Sequence, residues 1–418
     1  MELKLISLLG LVVFVGVAWA ISSHRKKFPW RVVLCGLGLQ FLFGFLILRT
    51  SFGKSVFDFC QRGVTKLIGF ADEGSKMVFG PLANTDLLAA NLGIAAKPGN
   101  SLIFVITVTA TIILVAAMSS LLYHYGVLQL IVRGTAWIMQ RLMRTSGSES
   151  LAAAANIFMG QTEAPLVIRP YLSKMTRSEI LALMTGGMAT IAGGVLAAYV
   201  SFGISAGHLL TASVMSAPAA LLIAKVMLPE TEQSETAAGA SAKVPRETTN
   251  GLDALCRGAS EGMMLAINIM AMLIAFVAVV ALANYLLSLG LRQAGVTNST
   301  PLQTLFGWVN APFAWLMGVP WKDCPAVGSV LGERIVINEF VGYFSLSKMT
   351  ATLDPRSYTL ATYALCGFAN FSSIAIQIGG IGSLAPTRRA DLAKLGLRAM
   401  IGGLLASYLT ATIAGILL

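Results

Sequence analysis

Charge is what this chain has least of. Only 12% of its 418 residues are Asp, Glu, Lys or Arg, while 56% are hydrophobic. A soluble globular domain carries about a quarter charged residues, so the shortage excludes that class. Charge-poor apolar runs over 5–21, 32–48, 101–122, 265–283 and 399–418 approach the roughly 20 residues that cross a bilayer. Residues 180–224 hold no charged side chain at all, enough for two crossings. The short alternating segments of a membrane β-barrel are missing. The five cysteines are scattered with no CxxC pair, which argues against a zinc site and a disulfide scaffold. The three histidines, His24, His124 and His208, fall near the ends of apolar segments and suit structural or solvated roles better than metal binding.

The charges present are mostly cationic, for a net charge of +11. They cluster at segment ends, in "HRKKFPWR", at Arg388–Arg389, and at Lys243, Arg246 and Arg257 around a polar stretch. Topology explains that placement better than nucleic-acid binding does. With these cations in the cytoplasm, both termini lie outside and the number of spans is even. The stretch "VVFVGVAWAIS" ends like a signal-peptidase site, but the basic cluster follows it, the charge order of a retained first helix.

The expected fold is an all-α polytopic membrane protein. It divides into two N-terminal transmembrane helices (1–50), an interfacial amphipathic helix (51–82), and a third transmembrane helix plus a second amphipathic one (100–146). A first repeat (147–228), a cytoplasmic linker (229–252), a scaffold helix (253–290) and a second repeat (310–418) follow. Residues 84–100 read as a loop. Packing on the protein's own surface accounts for the amphipathic stretches as well as the membrane interface does.

The two repeats are marked by a repeated pentapeptide, LSKMT, at 172–176 and 346–350. Upstream of each copy is a lone acid in apolar surroundings, Glu163 in "MGQTEAPLVI" and Glu339 in "RIVINEFVGY". Both segments are too apolar for loops and are interrupted by Gly, polar residues or Pro, so each reads as a re-entrant hairpin. The first is expected to break at 160–165. Downstream of each copy an apolar span is itself interrupted, by Thr190 between two Gly-Gly pairs and by Asn370, Ser372 and Ser373. The glycine pairs alone favour close helix packing over an unwound binding segment. Counting crossings gives the two units opposite orientations. Secondary transporters hold substrate between such inverted repeats near the bilayer midplane.

A charge at the membrane centre costs about 2.5–3.5 kcal/mol even on lenient scales. Either acid is open to pairing with an arginine of its own hairpin, Arg169 or Arg334. Otherwise Gln161, Thr162, Asn338, Asn370 and Ser373 make an inventory that suits a neutral ligand rich in donors and acceptors, with Phe368 and Val195 as an apolar wall.

The stretches "GQTEAP", "GGMATIAGGVLAAYV", "INEFVGY" and "CGFANFSSIAIQIGGIGSLAP" resemble, in order and along the whole chain, the concentrative nucleoside transporter family in its eight-span bacterial form. The resemblance implies eight transmembrane helices and a sodium-driven nucleoside symporter of the bacterial inner membrane. It further implies a homotrimer with an elevator-like moving domain in each subunit and uridine-like substrates. No cofactor beyond the co-transported sodium is implied. It places the nucleobase on Gln161, Thr162 and Glu163 with Val195 against it, and the ribose on Glu339, Asn370 and Ser373, with Phe368 lining the pocket. Sodium would lie at Asn156, Met159, Thr190 and Ile191, the second and fourth through backbone carbonyls; Met159 departs from the smaller aliphatic residue expected there. Proton coupling on the same fold is the alternative, with Glu163 or Glu339 as carrier. An intramembrane enzyme would need a His or Cys companion to one of the acids, and neither has one at helical spacing. A passive channel has no use for two buried carboxylates with amide partners.

Overall fold

The first two apolar runs form α1 (Glu2–Ala20) and α2 (Trp30–Arg49), with the basic "HRKK" stretch in the turn between them. The computed structural model describes residues 2–84, 104–237, 239, 248–293 and 300–418. Most of the 84–100 loop and the linker cations Lys243 and Arg246 lie outside the described residues. The amphipathic stretch that follows α2 is one continuous helix, α3 (Ser51–Phe79), entered through the Thr50 cap. Next come α4 (Phe104–His124) and α5 (Val127–Met143), bent 74° to each other. Gly126 makes that corner with φ +81°, a conformation that L side chains rarely adopt.

The first repeat begins with α6 (Gly147–Ala155) and α7 (Ala164–Val167). The break between them covers 156–163, earlier than the 160–165 expected from Gly160 and Pro165. Pro165 opens the second arm instead of breaking it, because the first turn of a helix needs no N–H there. After the first LSKMT come α8 (Arg177–Ala189) and α9 (Gly193–Ser201), separated at 190–192, then α10 (Ala206–Met227). Two capping boxes, Ser146/Glu149 and Thr176/Glu179, start α6 and α8. Both glutamates are buried, and Lys225 of α10 pairs with Glu149 at 2.7 Å and Glu230 at 3.2 Å. The linker is not wholly solvated. Ser234 donates to Glu179 at 2.6 Å and Thr236 is buried, so its first residues dock on the starts of α6 and α8.

The second half runs through α11 (Gly251–Gln293), α12 (Pro301–Leu316), α13 (Cys324–Val336), α14 (Glu339–Ser347), α15 (Pro355–Leu365), α16 (Phe371–Leu384) and α17 (Arg389–Leu417). The order of short arm, break, short arm, LSKMT, broken helix, helix thus recurs. In each copy the pentapeptide's leucine, Leu172 or Leu346, is buried as an anchor. The expected boundary at 310 cuts α12, so that helix straddles it. α12 packs on α13, and α17 lies at the centre of the core, touching α1, α8, α10, α15 and α16. Counting α8 and α9 together, six helical stretches among the described residues are long and apolar enough to cross a membrane, seven if the bent α4–α5 pair is one span. α11 is largely exposed, with Ile274, Val277 and Leu282 on its surface.

Candidate functional site

Four chain breaks converge. The hairpin break at 156–163 lies on the 190–192 break, where the Gly193 N–H donates to the Phe158 carbonyl at 3.2 Å. In the second repeat, helices α14 and α16 begin at their breaks with asparagine caps. The Asn338 side chain accepts from the Val341 N–H at 3.0 Å, and that of Asn370 from the Ser373 N–H at 2.9 Å. Both N-termini point their partial positive ends at the convergence. Between the breaks is a cavity of about 170 Å³. All of Gln161, Thr162, Glu163, Val195, Glu339, Phe368, Asn370 and Ser373 line it, together with Asn338.

Most of the polar lining is one hydrogen-bonded chain from Glu339 to Gln161. The Glu339 carboxylate accepts from the Tyr199 hydroxyl at 3.1 Å and from the Asn370 amide at 3.0 Å. The Gln161 amide donates to Ser373 Oγ at 3.1 Å, and Gln377 Nε2 donates to Gln161 Oε1 at 3.0 Å and to the Met184 carbonyl at 3.1 Å. Residues of both repeats therefore hold one another. Glu163 accepts from the Gly160 N–H at 3.1 Å within its own turn and is open to the cavity.

Neither acid takes an arginine. Among the described residues no ion pair joins Glu163 to Arg169 or Glu339 to Arg334. Arg169 is exposed at the mouth of a second cavity, and Arg334, wholly buried, caps the carbonyl end of α15. Its guanidinium donates to the carbonyls of Ala364 and Gly367 (3.2 Å to the latter) and to Ser407 Oγ at 3.0 Å. That satisfies the orphan carbonyls of a helix terminus and opposes its dipole.

In the first repeat the matching carbonyl ends, those of α6 and α8, meet with no such cation among the described residues. Their caps are Asn156 and Thr190. Asn156 is 1% exposed, and neither its Oδ1 nor its Nδ2 has a hydrogen-bond partner. A buried amide left so costs about 1–3 kcal/mol. Thr190, also buried, donates to the Gly186 carbonyl at 2.9 Å, which leaves its oxygen lone pairs free. Ile191 is buried beside it. Neutral oxygens at two negative helix ends suit a hard cation. Met159 lies at the edge of this group and lines the second cavity rather than the first.

The glycine doublet at 186–187 serves packing. A Cβ on Gly187 would lie 2.7 Å from Gln377 Nε2 and 2.9 Å from Gln161 Cβ, so no larger residue fits between hairpin and helix. Tyr199 and Gln377, which belong to the network, and Arg334, which holds the end of α15 beside it, have no binding role among the expectations from sequence. An Arg inside an apolar interrupted segment, and a Gln in an otherwise apolar span, are the signals that point to the last two.

Residues 9–82, 105–206 and 208–415 match, in turn, families described as sodium-dependent nucleoside transporter N-terminus, nucleoside recognition, and sodium-dependent nucleoside transporter C-terminus. Rat sodium/nucleoside cotransporter 2 is 40% identical over 430 residues, covering 99% of this chain and 63% of that protein. The chain belongs to the concentrative nucleoside transporter family. This is a family of transporters, not enzymes. YutK, an uncharacterized transporter of Bacillus subtilis (strain 168), is 41% identical over 409 residues, covering 98% of each chain. A structure of CNTnw in an inward-facing substrate-bound state superposes with a TM-score of 0.92 at 37% identity, covering 99% of this chain and 98% of that one. A CNTnw variant in an outward-facing state gives 0.92 at 36% identity, covering 100% and 98%. Membership of the family makes this a multi-pass membrane protein.

Proposed function

We propose that this member of the concentrative nucleoside transporter family is a sodium-coupled symporter that imports nucleosides across the bacterial inner membrane. The observation that carries the reading is the hydrogen-bonded chain from Glu339 to Gln161, which lines a cavity between the two repeats with neutral donors and acceptors plus two carboxylates. Glu339, Asn370 and Ser373 take the ribose hydroxyls. Gln161, Thr162 and Glu163 take the base edge, and Val195 and Phe368 cover its faces. Such a site rejects ligands that leave its polar atoms unpaired.

Sodium is held at Asn156 and Thr190, with the carbonyls of Met159 and Ile191. The orphaned Asn156 amide and the carbonyl ends of α6 and α8 that meet there support that assignment. Ion and substrate sites share the first hairpin, so filling the ion site orders the turn that carries Gln161 and Glu163. Each sodium entering gains about 2.3 kcal/mol per 100 mV of membrane potential.

The bent α4–α5 pair and the broken α15–α16 count as one crossing each, which makes eight spans and leaves both termini periplasmic. The scaffold comprises 1–50, 51–82, 100–146 and 253–290, and the moving domain 147–228 and 301–418, with α12 kept whole, joined by the 229–252 linker. The exposed apolar face of α11 supports a homotrimer, in which it lies against a neighbouring subunit or lipid. Alternating access is of the elevator type. A second cavity, of about 370 Å³, meets the first at Glu163 and extends past Arg169, Arg257 and Glu261, a release path to the cytoplasm.

The test is uptake of labelled uridine into proteoliposomes with sodium replaced by choline at fixed pH. Uptake should require sodium and saturate. Sodium-independent uptake that follows a proton gradient would move the coupling to Glu163 or Glu339, and non-saturating flux would remove the symporter.

A further inference from the structure

We infer that Gln377, which does not touch the cavity, fixes the order in which Gln161 presents its donor and acceptor to the nucleobase. It thereby acts as a positioning residue for base discrimination. The inference rests on the nucleoside reading and goes one step past it.

A carboxamide can be turned over without changing its shape, so what a glutamine offers a ligand depends on its neighbours. Here the neighbours leave no choice. Gln377 is wholly buried on α16, and one of its amide heteroatoms lies 3.1 Å from the backbone carbonyl of Met184. A carbonyl oxygen only accepts, so the atom facing it is the NH2 group. The same nitrogen lies 3.0 Å from the Gln161 amide. Having no lone pair to offer, it must meet Gln161 Oε1, which turns Gln161 Nε2 toward Ser373 Oγ at 3.1 Å. Ser373 Oγ is an acceptor in that bond, so its own hydrogen is left for the cavity.

The far end of the chain is pinned in the same way. The Ser373 backbone N–H meets Asn370 Oδ1 at 2.9 Å, which turns the Asn370 NH2 toward Glu339 at 3.0 Å. Two backbone groups, one from each repeat, thus set the direction of every side-chain bond between them. Gly187 lets the arrangement close, since a methyl there would strike both glutamines.

What Gln161 has left for a ligand is one N–H and one lone pair, in a fixed order. Uracil presents acceptor, donor, acceptor along its pairing edge. Cytosine presents donor, acceptor, acceptor. An amide held in one order fits one edge and sets like against like on the other; an amide free to turn fits either.

Gln377→Met keeps length and apolar volume and removes both donations. Equilibrium binding of uridine and cytidine to the purified, sodium-loaded protein, before and after substitution, reads the effect. The ratio of the two dissociation constants should change about tenfold or more toward unity, since each mismatched polar pair carries about a tenfold penalty. A packing role alone would weaken both nucleosides by the same factor, and that result, or an unchanged ratio, overturns the inference. If the Met variant does not fold, Gln377→Leu, which also removes both donations, should move the ratio in the same direction, and an unchanged ratio there overturns it equally. Failure of the unsubstituted protein to bind any nucleoside would defeat the functional reading itself. An altered ratio confined to the variants bears on Gln377 alone.

Discussion

Replacing Glu339 by glutamine separates its chemistry from its packing. The carboxylate has two oxygens and two protein donors, Tyr199 at 3.1 Å and Asn370 at 3.0 Å. Glutamine keeps one acceptor, and the Asn370 amide, whose direction is set by the Ser373 N–H, takes it. The new NH2 then faces the Tyr199 hydroxyl, which rotates to accept. The Tyr199 O–H thereby loses its acceptor in a wholly buried position, so the fold should survive with thermal stability lowered by about 1–3 kcal/mol. What changes is the side open to the cavity, where anionic lone pairs give way to an N–H. A hydrogen bond to a charged group is worth about 1.5–3 kcal/mol, so a nucleoside whose ribose hydroxyl donates to Glu339 should bind about ten- to 150-fold more weakly. The assay is titration calorimetry in sodium with uridine and 3′-deoxyuridine against both proteins. If the hydroxyl and the carboxylate are partners, the sugar change should cost the parent about as much as the substitution does, and cost the variant little more. Strict additivity of the two losses, or uridine binding unchanged in the variant, would refute the assigned contact.

Asn156→Ala removes the orphaned amide between two carbonyl ends, so the sodium concentration for half-maximal uptake should rise about tenfold or more with nucleoside affinity at saturating sodium nearly kept; an unchanged sodium dependence would take Asn156 out of the ion site. Arg334→Met leaves the carbonyls of Ala364 and Gly367 unpaired in the core, at about 1–3 kcal/mol each, and should lower the thermal midpoint more than Arg334→Lys does. Equal midpoints for the two variants would show that packing, not the cation, holds the end of α15.

How far the site is legible depends on what a residue's neighbours in sequence disclose. Glu163 and Glu339 stand out because a carboxylate within an apolar run has a cost that local context does not offset. The pentapeptide repeat orders the chain into two like units, and the structure repeats their pattern of broken helices. The break in the first hairpin is displaced, because Pro165 reads as an interruption and in fact opens a helix. The boundary near 310 falls inside α12, which runs on through Gly307 and Pro312 although both read as interruptions.

Tyr199, Gln377 and Arg334 are of another kind. Each acts on a partner far along the chain: Tyr199 on Glu339, Gln377 on Met184 and Gln161, Arg334 on the end of α15 and on Ser407. The linear order of residues, by itself, determined that this is a helical membrane protein with two interrupted repeats and a polar centre, because helix period, apolar length and the cost of a lone charge are local quantities. Which polar atoms face one another, in which direction their protons point, and which amide is left without a partner were decided only when the four breaks met, since hydrogen bonds are made between neighbours in space and the sequence lists neighbours along a line.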